Sequence, residues 1–282
     1  MDIFNPYYLQ VVMFFIINAI LGISLYFTLS SCQLSLGAAG FMGIGAYVAA
    51  LLSLKADIPI VIAIIIGGLV AAVFAIIIGL PTTRLKGLYL AIATLGFGEV
   101  VRVIILNMDI TNGALGLSGM PAIPQQLTMF LYDMDFDGIA SLDVQAAANL
   151  LTILILLLVL ILIVAFCLRI NNSRVGRAFA AIKADDHAAE LMGINVVYYK
   201  MLAFVIGAFM AGVGGGLYAH ITNFINPTDF GYHKVVQILL YPVFGGSDVV
   251  WGSILGSLVL TLLPEVLRLL SDYRDIIYGA LL

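Results

Sequence analysis

Side chains able to do chemistry are scarce in this 282-residue chain and gather in four places. Glu99 and Arg102 stand three residues apart inside an otherwise apolar run, Leu88 to Leu106, so a helix puts them on one face and within reach of each other. Charges inside a membrane segment cost about 2.5–3.5 kcal/mol each on the insertion scale, and such residues face protein or water, not lipid. The pair reads either as a structural ion pair holding two helices together or as part of a solute pathway or gate, with Tyr89 and Thr94 adding polar groups at other depths. The second place is the glycine run SLGAAGFMGIGAY, in which Gly37, Gly40 and Gly43 recur every three residues and permit close helix contact. Because Gln33 and Ser35 precede it, the same run could instead break the helix at membrane depth and turn backbone groups toward a polar cavity. The third is Asn226 to Gly252, where Pro227, Pro242 and the Gly245-Gly246 pair interrupt an apolar core whose side-chain amide is Gln237. The fourth is the stretch from Arg169 to Lys200, which carries Arg174, Gly176, Arg177, Asp185, Asp186, Ala188, Ala189 and Gly193.

These residue types suit passage of a solute better than catalysis. His220 and His233 have no Cys or carboxylate at metal-ligand spacing and read as interfacial histidines, and no His–carboxylate pairing suits an intramembrane enzyme. Cys32 and Cys167 give neither a disulfide framework nor a metal site. No Gly-Lys-Ser/Thr follows a glycine loop, so the chain itself does not hydrolyse ATP. An ion-coupled transporter would need an unpaired carboxylate in a span, for which Glu265, after Pro264, is the candidate.

The elements that position these residues are set by lipid. The side chains are 63% apolar and 10% charged, against roughly 25% charged in soluble domains. A mean hydropathy of +1.15 over the whole length excludes a soluble domain on a single stalk. The net charge of −4, with no clustered basic face, argues against a nucleic-acid binder. The N-terminus, MDIFNPYYLQ, has an acid and no Lys or Arg, so it does not read as a signal peptide. A span needs about 20 residues, and stretches at Tyr7–Leu29, Leu36–Leu54, Ile58–Leu80, Leu88–Leu106, Asn149–Leu168, Met201–Ala219 and Val249–Leu267 meet that length. Val235–Ser247 is too short and reads as a half-helix, a re-entrant segment or a span that borrows Tyr232 to Lys234. The fold class is therefore an all-α polytopic membrane protein of about eight transmembrane or re-entrant helices, read as one domain over residues 1–282. A further apolar run begins at Ile276, which points to a last helix cut short at Leu282.

Alternating the eight elements collects Arg84, Lys86, Arg169, Arg174, Arg177, Lys183 and Lys200 on one side, leaving Lys55, Lys234, Arg268 and Arg274 opposite; the first side is then cytoplasmic. Residues 107–148, with five Asp and no Lys or Arg, read as an external loop, and the same parity puts the N-terminus outside. Residues 169–200 read as a long cytoplasmic loop. Within it, a short amphipathic helix is expected, N-capped by Asp185, with Ala188, Ala189, Leu191 and Met192 apolar. Its small residues leave room for another surface to approach, which favours a docking element over a plain connection.

HAAELMG, residues 187–193, resembles the "EAA" loop of ABC importer permeases, with His187 standing where that loop has Glu. QLSLGAAGFMGIGAY from Gln33, RLKGLYLAIATLGFGEVVR from Arg84, SRVGRAFAAIKADDHAAELMGINVVYYKMLAFV from Ser173 and WGSILGSLVLTLLPEVLR from Trp251 are together similar to the branched-chain amino-acid, LivM-type permease family. The resemblance implies the ABC importer permease fold in a bacterial or archaeal cytoplasmic membrane. It implies a homologous partner permease, two cytoplasmic ATPase subunits that hold ATP and Mg, and an external or periplasmic substrate-binding protein. This chain would bind no cofactor and would contact membrane lipid. The cargo would be a branched-chain or related amino acid, with urea, amides or other small organic acids as the alternative.

Overall fold

A computed structural model of the chain describes residues 6–82, 85–133 and 144–269, with side chains through Glu265. Arg84, Arg274, the Arg268 side chain and the apolar run from Ile276 lie outside the described residues.

The described chain is helical apart from short connections. Six helices are long and apolar enough to cross a membrane: α1 (Pro6–Ser30), α2 (Ala38–Lys55), α3 (Ile60–Thr82), α4 (Leu88–Asn107), α6 (Val144–Asn171) and α9 (Val196–Thr222). Between α4 and α6 lie strand β1 (Leu117–Ser118) and the amphipathic helix α5 (Ile123–Asp133). Helices α7 (Arg174–Ala184) and α8 (Asp186–Leu191) fill the basic loop between α6 and α9. After α9 come strand β2 (Phe224–Ile225), a 3-10 turn at Pro227–Phe230, and helices α10 (Tyr232–Gly245) and α11 (Val250–Leu269).

Helices α1 and α9 form the centre because their small residues admit neighbours at backbone distance. A Cβ on Gly45 of α2 would sit 2.1 Å from the Gly212 carbonyl oxygen of α9, so side chains are excluded from that crossing. Helices α3 and α4 bury only one face each. On α4 the buried positions are Leu90, Ala91, Thr94, Phe97, Gly98, Val101 and Ile105, the three-and-four spacing of a single helical stripe. Its other face, including Tyr89, Ile92, Gly96, Glu99 and Val100, is exposed.

The last two elements differ from two independent spans. Helix α10 does borrow Tyr232 to Lys234, and it is bent by 119° against α11 across the break at Gly246. The bend has an anchored turn, since Lys183 of α7 forms an ion pair with Asp248. The far end of α11 returns to the start of α1, where the Tyr7 hydroxyl donates to Glu265. Helix α10 begins beside the loop after α4, where Asn226 Nδ2 donates to the Ala114 carbonyl at 3.0 Å and β1 pairs antiparallel with β2. The pair is thus a hairpin entering from the acidic-loop end and turning at the end that holds Lys86, Lys183 and Lys200.

Candidate functional site

Three side-chain caps shape the basic loop. Ser173 Oγ accepts from the Val175 amide at 3.1 Å and starts α7. Asp185 Oδ1 accepts from the His187 and Ala188 amides at 2.8 and 3.0 Å and starts α8, as expected from its position. Asn195 Oδ1 accepts from the Tyr198 amide at 3.0 Å and starts α9. Each cap satisfies helix-end amides that no intrahelical carbonyl can reach. Helix α8 ends in a Schellman turn: Ile194 N donates to Ala189 O at 3.1 Å and Gly193 N to Glu190 O at 3.0 Å, with Gly193 at φ +83°. The stretch is a compact two-helix foot, where the sequence suggested one short helix.

The foot is tied to the membrane helices by charge. Asp186 accepts from Lys86, ahead of α4, at 2.9 Å and from Lys200 of α9 at 3.3 Å. The bond from Lys86 holds the Asp186 carboxyl well below the usual carboxylate range, at about 2, with Lys200 adding to the effect. Phe179 of α7 meets the Tyr199 ring edge-on at a centroid distance of 6.4 Å. Gly176 is pressed against the end of α6, since a Cβ there would lie 2.3 Å from the Asn171 carbonyl oxygen. Ala189 is buried beneath α8, whereas Arg174, Arg177, Asp185, His187, Ala188 and Gly193 are exposed. Leu191 and Met192 are 89% and 83% exposed, an apolar tip that nothing in this chain covers among the described residues.

The residues expected along a pathway fall into two groups. Gln33, Ser35, Gly37 and Thr94 are buried around the non-helical connection between α1 and α2. Thr94 Oγ1 accepts from the Leu36 amide at 2.9 Å and donates to the Leu90 carbonyl, so it serves as a backbone clasp that joins α4 to the entry of α2. This clasp satisfies a backbone donor freed by the break in the helix. The glycine run that follows packs closely: a Cβ on Gly40 would approach Gly98 of α4 to 2.7 Å. Tyr89, Glu99 and Gln237 are exposed, with Arg102 half-buried.

Arg102 Nε donates to Glu99 Oε1 at 2.8 Å, a pair confined to α4, so it does not hold two helices together. The Arg102 stem passes Gly231, whose Cβ would be 3.5 Å from Arg102 Cδ. Lys234 donates to Gln237 at 3.3 Å on α10. His220 is fully buried, contrary to an interfacial histidine: Nδ1 donates to the Gly216 carbonyl at 2.8 Å and Nε2 lies 3.0 Å from Ser53 Oγ. Single-sequence reading missed this pairing because Ser53 and His220 lie on different helices. Glu265, the candidate unpaired carboxylate, is engaged by Tyr7.

Below the α1–α2 connection lies a cavity of about 410 Å³, walled by Cys32 and Gln33, by the residues leading into α4, and by the α7–α8 junction with Lys200.

Apolar spans around a central helix pair, with a capped foot pinned at one end, define an all-α polytopic membrane protein. The chain belongs to the family described as "Branched-chain amino acid transport system / permease component", which matches residues 7–282. It is 31% identical over 279 residues to the high-affinity branched-chain amino acid transport system permease protein LivM of Escherichia coli K12, covering 94% of this chain and 65% of that protein. The chain thus spans a little under two thirds of that curated relative. It is 35% identical over 120 residues to LivH of the same organism (42% of this chain, 39% of LivH). It is also 26% identical over 232 residues to the autoinducer 2 import system permease protein LsrC of Yersinia pseudotuberculosis (76% of this chain, 60% of LsrC). No solved structure matches the chain.

Proposed function

We propose that this chain is the membrane-spanning permease subunit of an ATP-driven importer for branched-chain or related amino acids in a bacterial inner membrane. The observation that carries the reading is the foot: Asp186 ties it to α9 and to the entry of α4, while Leu191 and Met192 stand free for a partner surface. A lever must be rigid toward what it moves and open toward what drives it. Two cytoplasmic ATPase subunits, holding ATP and Mg, would close and displace the foot, shifting the helices between inward-open and outward-open states.

Similarity to both LivM and LivH supports a second, homologous permease as partner. The open face of α4 suits that contact, because Glu99 on it needs protein or water beside it. An external binding protein would deliver the solute at the acidic-loop end. Similarity to an autoinducer 2 permease favours a second reading, a cargo outside the amino acids, since delivery by a binding protein leaves the pathway little selection to perform. Ion-coupled transport is disfavoured because Glu99 is bonded to Arg102 and Glu265 to Tyr7.

The test is reconstitution in liposomes. The chain alone should move no leucine, whereas the complex with a partner permease, ATPase and binding protein should take it up only with ATP. Uptake by the chain alone under a proton or sodium gradient would refute the proposal.

A further inference from the structure

We propose that a slot between α6 and the α3–α9 pair holds an acyl chain of an anionic phospholipid, with Arg169 binding the lipid phosphate. The slot has a volume of about 510 Å³ and is walled by residues 65–72 of α3 and 159–166 of α6, with residues 205–213 of α9 as its floor. It exists because α6 packs chiefly on α1 and α5, whereas α3 packs chiefly on α9 and α2, so the two walls lean on different supports. Every lining side chain is apolar, and Ile65, Leu69, Leu162 and Phe166 are exposed, so the slot opens to whatever surrounds the bundle. Shape selects the occupant. The lined stretch of each helix is about 10–12 Å long, so this volume corresponds to a passage about 7–8 Å across. Another helix, about 10–12 Å wide with its side chains, cannot enter it. An extended hydrocarbon chain can. Lipid tails are as apolar as the leucines that line it, and a tail in the slot recovers dispersion contacts that an empty groove forfeits.

Charge selects the headgroup. Leu162, Phe166 and Arg169 recur at the four-and-three spacing of one stripe on α6, which puts Arg169 about a turn beyond the slot, at the end that holds Lys86, Lys183 and Lys200. Residues 144–184 contain Arg169, Arg174, Arg177 and Lys183 and no Asp or Glu. Lys183 is paired with Asp248, whereas the three arginines are exposed and form no ion pair among the described residues. A guanidinium bonds two phosphate oxygens at once, and basic surfaces between membrane helices favour anionic lipids. Helix α6 leads into the foot and α9 leaves it, so a tail lodged between them braces the two helices that carry the foot. The site does not depend on the importer reading.

Photolabelling tests the proposal, on the full chain alone and in the assembled complex, in phosphatidylcholine vesicles with a trace of phosphatidylglycerol carrying a mid-chain diazirine. Peptide mass spectrometry should find the label on residues 159–166 and 205–213 well above its level at Ile77. That residue is exposed on α3 and lies about a third of a turn off the stripe of Ile65, Leu69 and Ala72. Unlabelled phosphatidylglycerol should compete about fivefold better than phosphatidylcholine, roughly the factor that one basic residue contributes at an anionic surface. Arg169→Gln should remove that advantage. Ala72→Trp, which fills the slot, should bring its labelling down to the Ile77 level and leave labelling at Ile77 itself unchanged, which separates a blocked slot from a misfolded chain. Slot labelling no greater than at Ile77, equal competition by the two lipids, or an unchanged lipid preference in Arg169→Gln would overturn the proposal. Label present in the chain alone and absent in the complex would give the slot to a partner protein and overturn it as well.

Discussion

Asp186 is the residue on which the foot turns. Its carboxyl is held at about 2 by Lys86 and Lys200, so its attachment is complete above the ordinary carboxylate value near 4 and is lost only as pH falls through about 2. ATP-driven uptake should therefore show no loss traceable to Asp186 between pH 5 and 8, whereas Asp186→Asn should loosen α8 at every pH. Hydrogen exchange across residues 185–195 and the ratio of ATP hydrolysed to solute moved, both expected to rise, check this. Gly193 requires separate treatment. At φ +83° any bulky residue strains the backbone by roughly 1–2 kcal/mol, so Gly193→Trp would confuse a broken turn with a blocked interface. Leu191→Asp together with Met192→Asp avoids that problem, because both side chains are exposed. The double variant should insert and fold normally, yet lose about tenfold or more in ATPase affinity in a pull-down, consistent with truncation of interface anchors. Unchanged affinity would show that α8 is not the docking tip.

Among the elements, α4 has the most to reveal, since it is half of a helix packing. Gly40 and Gly98 bring it against α2 and Thr94 clasps the chain entering α2, leaving the Glu99 face open. Gly96 on that face has no atom within 4 Å of where its Cβ would be. In the isolated chain Gly96→Leu should be neutral or stabilising by about 0.5–1 kcal/mol through helix propensity. In the assembled transporter the same change should lower the yield of permease pair if this face meets the partner. Unchanged yield would move the contact to another helix. Gly45→Ala is the contrasting case: its Cβ would strike the Gly212 backbone at 2.1 Å, so the isolated chain itself should fail thermal-shift and size-exclusion tests.

At the scale of the whole molecule, Lys86, Lys183, Lys200 and Asp248 meet at one end, and the β1–β2 pair and the start of α10 at the other. By the positive-inside rule we propose that the first end is the cytoplasmic one. Cys32 belongs to that end. A membrane-impermeant maleimide should therefore label it in inside-out vesicles and not in right-side-out cells. The reverse pattern would invert the topology and remove the foot from any cytoplasmic ATPase. The hairpin of α10 and α11, turned at Gly246 beside α7, gives the foot a second hold on the bundle through Lys183 and Asp248, whose carboxyl is also lowered by that pairing.

The six long spans, a short amphipathic helix in the basic loop and the Asp185 cap were legible in the residues alone, because hydropathy and capping are local properties that lipid and unsatisfied amides impose within a few turns of chain. The six long helices fall within a few residues of the apolar runs. What only the tertiary structure decided is which polar group answers which. Thr94 meets Leu36, His220 meets Ser53, Asp186 meets Lys86, and α10 folds back on α11. Each pairing joins different helices or the connections that lead into them, and the partner of a buried polar atom is fixed by how those elements cross, which spacing along one strip of sequence does not encode.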